Sequence, residues 1–292
     1  MNISIGVMAY NEEANIGNLL KGLLSQKTKS LHISEIIVVS SGSTDKTDQI
    51  VKSFTDARIK LITEKKRLGK WRAINQFLAA AKEDICVMQS ADTIPKEDTI
   101  ERLCAPLKDP KVGIVGGRPV PVNKGSMMAE VVQLQWQLHH EIAKERPKFG
   151  EIIAFRKLFR KIPPTAVDEE QIAMMIQKLG YKGAYAEDAI VYNKGPETVR
   201  ELIMQRRRIN CGHRQLMEDS GYLAPSYKLS TICNSLMVIK KKRFLPSIIL
   251  GCFVEGLSRI ISSVDIIDEN KNTVWKISST TKNPCQLLKK HI

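Results

Sequence analysis

The chain has 292 residues, 43% of them hydrophobic, and its 45 Lys and Arg against 31 Asp and Glu give a formal charge of +14. That length holds one large domain, or a domain of roughly 200 residues with an appendage. The charge asks for an anionic partner such as a nucleotide, a nucleic acid or a membrane surface. With only 5% aromatic residues and no interleaving of Arg with aromatics, nucleic acid is set aside.

Residues 194–292 carry 17 Lys and Arg against 8 Asp and Glu, which predicts one basic face built late in the chain. The six cysteines, Cys86, Cys104, Cys211, Cys233, Cys252 and Cys285, form no C-x-x-C pair. They read as reduced, buried, small hydrophobes of an intracellular protein, not as zinc ligands or a disulfide frame. Met1 leads almost directly into a strand, which leaves no room for a signal peptide, and no clean 18-residue apolar span stands out.

In chain order, the first predicted strand is Ile3–Ala9. Tyr10-Asn11-Glu12-Glu13 follows, then a helix whose apolar face is Ile16, Leu19, Leu20, Leu23 and Leu24, with Asn11 as its expected N-cap. A second strand, Ile36–Val39, runs into Ser40-Ser41-Gly42-Ser43-Thr44-Asp45 and another helix. A third, Ile59–Glu64, leads through Lys65-Lys66-Arg67-Leu68-Gly69-Lys70 into a helix over Trp71–Lys82. The fourth is an apolar run from Asp84 that ends in Ser90-Ala91-Asp92-Thr93, where Ile94-Pro95 forces the backbone out of the strand. β-branched runs alternating with helices indicate an α/β fold, a mostly parallel sheet covered by helices on both faces.

Ligands of such sheets sit at the strand ends. A carboxylate there, Asp92, can grip a divalent cation bridging nucleotide phosphates; the alternative is a cap for the turn before a helix over Lys96–Leu103. No G-x-G-x-x-G follows the first strand and there is no P-loop, which disfavours a dinucleotide-binding dehydrogenase.

A fifth strand, Val112–Arg118, is closed by paired glycines. A helix over Met127–Arg146, a strand over Phe149–Arg156 and the loop Ile162-Pro163-Pro164 follow. The loop delivers Asp168-Glu169-Glu170 to the start of a helix that Gly180 stops, where acids also complement the helix dipole. A strand over Ala189–Tyr192 precedes a basic helix, Pro196–Met217, containing Gln205-Arg206-Arg207-Arg208-Ile209. His139 and His140 are adjacent on one helix and cannot both face one metal, so they read as packing. Lys240–Arg243 introduce an apolar segment, Ser247–Ile267, interrupted by Glu255, Arg259 and Asp265. Those charges argue against a spanning helix, and a basic run beside an apolar helix suits the surface of an anionic leaflet. Packing on the catalytic domain or on a second subunit is the alternative. Residues 270–292 read as polar and loosely ordered.

With those pieces in order, residues from about 2 to 215 resemble the family-2 glycosyltransferases, inverting GT-A-fold enzymes that use nucleotide-activated sugars. Ala9-Tyr10-Asn11-Glu12 is similar to the family's first-strand turn, whose acid contacts the nucleotide. Ser40-Ser41-Gly42-Ser43-Thr44-Asp45 is similar to Asp-Asp-Gly-Ser-x-Asp with both leading acids replaced, which leaves the base preference open at Ser41. Gly69-Lys70 and Asn75 match the loop and helix that approach the diphosphate. Ser90-Ala91-Asp92 matches Asp-x-Asp with only the last acid kept, which implies Mg²⁺ or Mn²⁺ on Asp92. Asp168-Glu169 falls where the family has Glu-Asp, which implies Glu169 as the base with Asp168 beside it. Gln205 and Arg208 match Gln-x-x-Arg-Trp, with Ile209 in place of Trp.

The resemblance implies a catalytic domain over 1–221 and a basic amphipathic helical extension over 222–292. It further implies transfer from a nucleotide-sugar donor to a sugar or lipid-linked acceptor, with cytoplasmic location, peripheral contact with the inner membrane face and homodimer formation as companion expectations. Two other readings stay open: a catalytically weak homologue serving as a scaffold subunit, suggested by Ser40, Ser41 and Ser90, and a nucleotidyltransferase on a similar sheet.

Overall fold

Alternate residues of the first strands are buried on opposite faces, the two-residue period of a sheet covered on both sides. Ile36, Val38 and Val87 join Ile3, Ile5 and Val7 in one apolar cluster, while Ile37, Val39, Cys86 and Met88 join Phe77, Ile153 and Phe155 in the other. A computed structural model describes residues 1–227, 245–265, 280–282 and 284. The strands are β1 (Asn2–Ala9), β2 (His32–Ser41), β3 (Ile59–Glu64), β4 (Ile85–Ser90), β5 (Ile94–Pro95), β6 (Val112–Pro121), β7 (Ile152–Arg156) and β8 (Lys182–Asn193). The helices are α1 (Ile16–Leu24), α2 (Thr47–Lys52), α3 (Lys70–Ala80), α4 (Thr99–Cys104), α5 (Met127–Glu145), α6 (Asp168–Lys178), α7 (Val199–Ser220) and α8 (Leu245–Ser263).

The strands form one sheet in the order β3-β2-β1-β4-β7-β6-β8-β5. β3, β2, β1 and β4 are mutually parallel, as are β6 and β8, and β7 is inserted antiparallel between β4 and β6. α1 and α4 cover one face through Ile16, Leu19, Leu20, Leu23, Ile100 and Leu103. α3 and α6 cover the other through Ile74, Phe77, Ile172 and Ile176. Leu20 is fully enclosed, so Leu20→Ala should cost about 2–5 kcal/mol.

Several boundaries differ from the sequence expectation. β8 starts seven residues before Ala189, because its early part pairs with β6 although half of it is exposed. The helix expected from Lys96 begins at Thr99, since Ile94–Pro95 pairs with β8 first. Asn11 does not cap α1. It takes a left-handed backbone, φ 52°, and spends its side chain on the β2–α2 loop, while the α1 N-cap is Asn15.

α8 is long and apolar enough to cross a membrane by length and composition, where no clean span was expected from the sequence. One side of it packs: Val254 is buried with Val131 of α5 and Leu202 of α7. Arg206 and Arg207 of the basic helix are committed to holding it, through Glu255 at 2.7 Å and Asp265. Cys86, Cys104 and Cys211 are free and buried as expected, but Cys252 of α8 is exposed. The basic run Lys240–Arg243, Cys233, Cys285 and most of 270–292 lie outside the described residues.

Candidate active site

The site is built where β1, β2 and β4 end in register, Met8 opposite Val39 on one side and Ser90 on the other. β4 stops because the chain turns: Thr93 returns both its backbone N–H (3.2 Å) and its hydroxyl (2.8 Å) to the Ser90 carbonyl. The buried Gln89 side chain donates to the same hydroxyl at 3.0 Å. That tight turn places Asp92 in the wall of a cavity of about 530 Å³, which Ser90, Glu151, Lys70, Glu169, Gln205 and Arg208 also line.

Lys70 opens α3 directly after Gly69, whose φ of 106° is a conformation that L side chains rarely adopt. Its ammonium lies 2.6 Å from Glu169 Oε1 and 3.5 Å from Asp168 Oδ2. The two acids start α6 because the chain must bring negative charge to that helix terminus. Burial pushes the Asp168 carboxyl up to about 6 in spite of Lys70, and its Oδ1 has no partner among the described residues. Arg208 places further positive charge beside Asp168. Burial, then the charge of Glu12, raises Asp92 to about 6. Burial and the charge of Asp92 raise Glu151 to about 7, opposed by the Ser90 hydroxyl that donates to it.

The remaining expected donor residues are not among those that line this cavity; Ala9 ends β1, and Tyr10, Asn11 and Glu12 follow it directly. Ala9 is buried in the core below the turn, and Ala91 is buried at the other edge. The Arg67 guanidinium, a cavity residue, sits 4.4 Å above the Tyr10 ring. Asn11 Oδ1 accepts from the Thr44 N–H at 2.8 Å and the Asn11 N–H donates to Ser43 Oγ at 3.1 Å, so the first turn and the serine-rich loop are laced together. The Glu12 carboxylate accepts from Lys282 at 2.6 Å and from Asn15 at 2.8 Å. The Ser41 hydroxyl is donated to Glu64 at 2.6 Å. Asn75 is not brought to the cavity: its amide donates to the Ile162 carbonyl (3.0 Å) and accepts from the Ile162 N–H (2.7 Å), clamping the loop that leads to α6.

The other half of the cavity is basic and aromatic; Arg206 belongs to the basic string picked out in the sequence, whereas Trp136 and Lys148 were not singled out. Trp136 and His139 of α5, Lys148, Arg206 and His213 line it. His139 and His213 are 6% and 8% exposed, and neither ring nitrogen of His139 nor Nδ1 of His213 has a partner among the described residues. Among the described residues Lys148 makes no ion pair within 4 Å. Burial and the Arg206 charge bring its ammonium down to about 8. Glu170 turns away from Glu169 into this half, accepting from the Tyr222 hydroxyl at 2.9 Å, and burial raises it to about 7. Lys148 precedes the predicted strand at 149–156 and Glu151 is its third residue; the signal that could have found them was two charges at an otherwise apolar strand entry.

The chain matches glycosyl transferase family 2 over residues 4–178 and belongs to that family. Among curated relatives it is 25% identical over 233 residues to the poly-β-1,6-N-acetyl-D-glucosamine synthase of Staphylococcus aureus (strain COL), covering 74% of this chain and 56% of that one. The Staphylococcus epidermidis synthase is 25% identical over 244 residues, 78% of this chain and 58% of that one. The chain therefore spans just over half the length of these relatives. Among solved structures, the fold is similar to a mannosyltransferase from Pyrobaculum calidifontis in complex with GDP-Man and Mn²⁺ (TM-score 0.61, 23% identity, 89% of this chain and 83% of that one). It is also similar to glucosyl-3-phosphoglycerate synthase from Mycobacterium tuberculosis with Mn²⁺, UDP and glucosyl-3-phosphoglycerate (TM-score 0.54, 20% identity, 75% and 80%). The GT-A architecture expected from the sequence, a mostly parallel sheet with helices on both faces and a C-terminal helix, is the one these structures share.

Proposed function

We propose that this chain is an inverting glycosyltransferase that moves a sugar from a nucleoside-diphosphate donor to an acceptor at a membrane surface. The observation that carries the reading is one cavity, in a family-2 chain, that Asp92, Lys70 and Glu169 line together, with Lys70 paired to Glu169. Glu169 accepts the acceptor hydroxyl's proton. The freed oxygen forms its bond to the anomeric carbon as the bond to the diphosphate breaks, and the electron pair leaves on the nucleoside diphosphate. Lys70 and Arg208 bind the diphosphate oxygens and stabilise that charge. Asp168 lies beside Lys70 and steadies it, Gln205 lines the same wall, and Tyr10 with Arg67 offers a flat surface to the donor's base.

The donor set fits a hard divalent cation, Mg²⁺ or Mn²⁺. Asp92 is a carboxylate with no ion pair among the described residues, and Glu12 adds negative charge beside it. Among those residues no cluster of three or more His, Cys, Asp or Glu could hold a metal unaided, so donor oxygens and water complete the shell. When bound, the cation neutralises charge developing on the leaving diphosphate. The Mn²⁺ of the similar structures supports this reading.

The basic half of the cavity suits an acceptor that carries negative charge, as a lipid-linked phosphate does. α8 supports a membrane surface: Ile249, Phe253 and Ile260 are 63%, 62% and 68% exposed on the side turned away from α5 and α7. The sequence places four consecutive basic residues, Lys240–Arg243, just before it. In this reading the surface that this face meets is the cytoplasmic leaflet.

The test is calorimetry with UDP, GDP, CDP and dTDP, each with Mg²⁺, Mn²⁺ and EDTA. One nucleotide binding only with metal, and losing that dependence in Asp92→Ala, is the expected result. No binding to any of the four would leave the scaffold reading in its place.

A further inference from the structure

Glu151 has no part in the reading above, yet it lines the same cavity as Asp92. It sits at the start of β7, the strand inserted antiparallel beside β4, and the Ser90 N–H donates to its carbonyl at 2.9 Å. Ser90 and Glu151 therefore stand opposite each other at the end of the strand pair, with their side chains on the same face of the sheet. Asp92 follows Ser90 by two residues, and its negative charge is felt at Glu151. Neither acid has an ion pair among the described residues, and the nearby Lys70 is held by Glu169 at 2.6 Å.

A carboxylate from each of two neighbouring strand ends, opening on one cavity, is a donor pair of the kind a hard divalent cation takes.

We propose that Glu151 is a second protein carboxylate for the divalent cation held by Asp92, so that the two ligands come from adjacent antiparallel strands. This rests on the cation reading given above. It assigns β7 a purpose beyond pairing: it carries an acid to the place opposite Ser90, where the turn itself presents only a hydroxyl. Because positions 90 and 151 face each other, the acid should work from either strand.

The experiment uses the full chain and reads free Mn²⁺ by electron paramagnetic resonance, with UDP, GDP, CDP and dTDP each present in turn, in the wild type, Asp92→Asn, Glu151→Gln and the double variant Ser90→Asp/Glu151→Gln. Changing a residue that only hydrogen-bonds a metal ligand already costs about 10–100-fold in metal affinity, so Glu151→Gln should weaken Mn²⁺ binding at least about 10-fold. The double variant should recover most of that loss. If Asp92→Asn loses Mn²⁺ while Glu151→Gln keeps wild-type affinity, Glu151 is not a ligand although the cation reading stands. If the wild type itself holds no Mn²⁺ with any of the four nucleotides, both fall. Should Glu151→Gln fail to fold, the double variant decides: near wild-type affinity supports the assignment and lost affinity overturns it.

Discussion

Lys70 Nζ and Glu169 Oε1 are 2.6 Å apart although 99 residues separate them in sequence. One is the cation expected to meet the donor diphosphate, and the other is the expected proton acceptor. In the proposed mechanism a diphosphate that draws Lys70 to itself would release the carboxylate for the acceptor proton, and donor-first binding is the expected order. Glu169→Gln should leave nucleotide binding intact and slow sugar transfer by about 10²-fold or more in a single-turnover assay. Lys70→Met should weaken nucleotide binding itself. If Asp168→Asn or Glu170→Gln reproduces the first result and Glu169→Gln does not, the base has been misassigned.

Glu170 offers a pH signature separable from catalysis. It is 3% exposed, and burial outweighs the Lys148 charge and the Tyr222 hydrogen bond to raise its carboxyl from 4.5 to about 7. The folded chain therefore holds this proton more tightly than the unfolded one. The stabilisation is complete below the unfolded value and is lost as pH rises through about 7. Glu170→Gln cannot titrate, so its thermal midpoint relative to wild type should move upward between about pH 5 and about pH 8. A difference that stays constant across that range would contradict the account.

Lys148 bears on acceptor choice. Its ammonium has no ion pair among the described residues, and the unpartnered His139 and His213 rings lie in the same half of the cavity. Lys148→Met should raise KM for a phosphate-bearing acceptor about tenfold while leaving nucleotide affinity unchanged, a loss on the scale of one charge-assisted hydrogen bond. An equal loss with uncharged acceptors would point to a packing role.

The outer side of α8 should bind vesicles containing anionic lipid. Replacing Ile249 and Phe253 with Ser removes two of its most exposed apolar groups and should abolish co-flotation without lowering the thermal midpoint, because neither is buried. Wild-type chain that fails to float but sediments as a dimer, with the double variant monomeric, would assign this side to a second copy.

Much of the fold was legible because its signal is local. β1, β2 and β4 each carry apolar runs with a two-residue period, and α1 carries its apolar residues at helical spacing. The antiparallel placement of β7 and the early half of β8 were not legible, since both depend on partners far away in sequence. The candidate site divides in the same way. Asp92, Lys70 and Glu169 sit in recognisable strings, and the structure gathers them around one cavity. Glu151, Lys148 and Lys282 belong to no string, and only the packing of β7 and the approach of residues 280–282 bring them near. Asn75 sits in a motif yet faces away from the cavity, because its amide satisfies two backbone groups of Ile162.

That amide has a mechanical consequence. α3 carries Lys70 at its first residue and Asn75 a turn and a half later, while Ile162 lies on the loop that feeds the α6 acids. The clamp fastens the two helices into one rigid bracket, so the spacing between Lys70 and Glu169 is held from behind as well as by their own attraction. A change such as Asn75→Ala, remote from any reacting atom, would loosen the bracket and appear as lost alignment of the pair instead of lost chemistry.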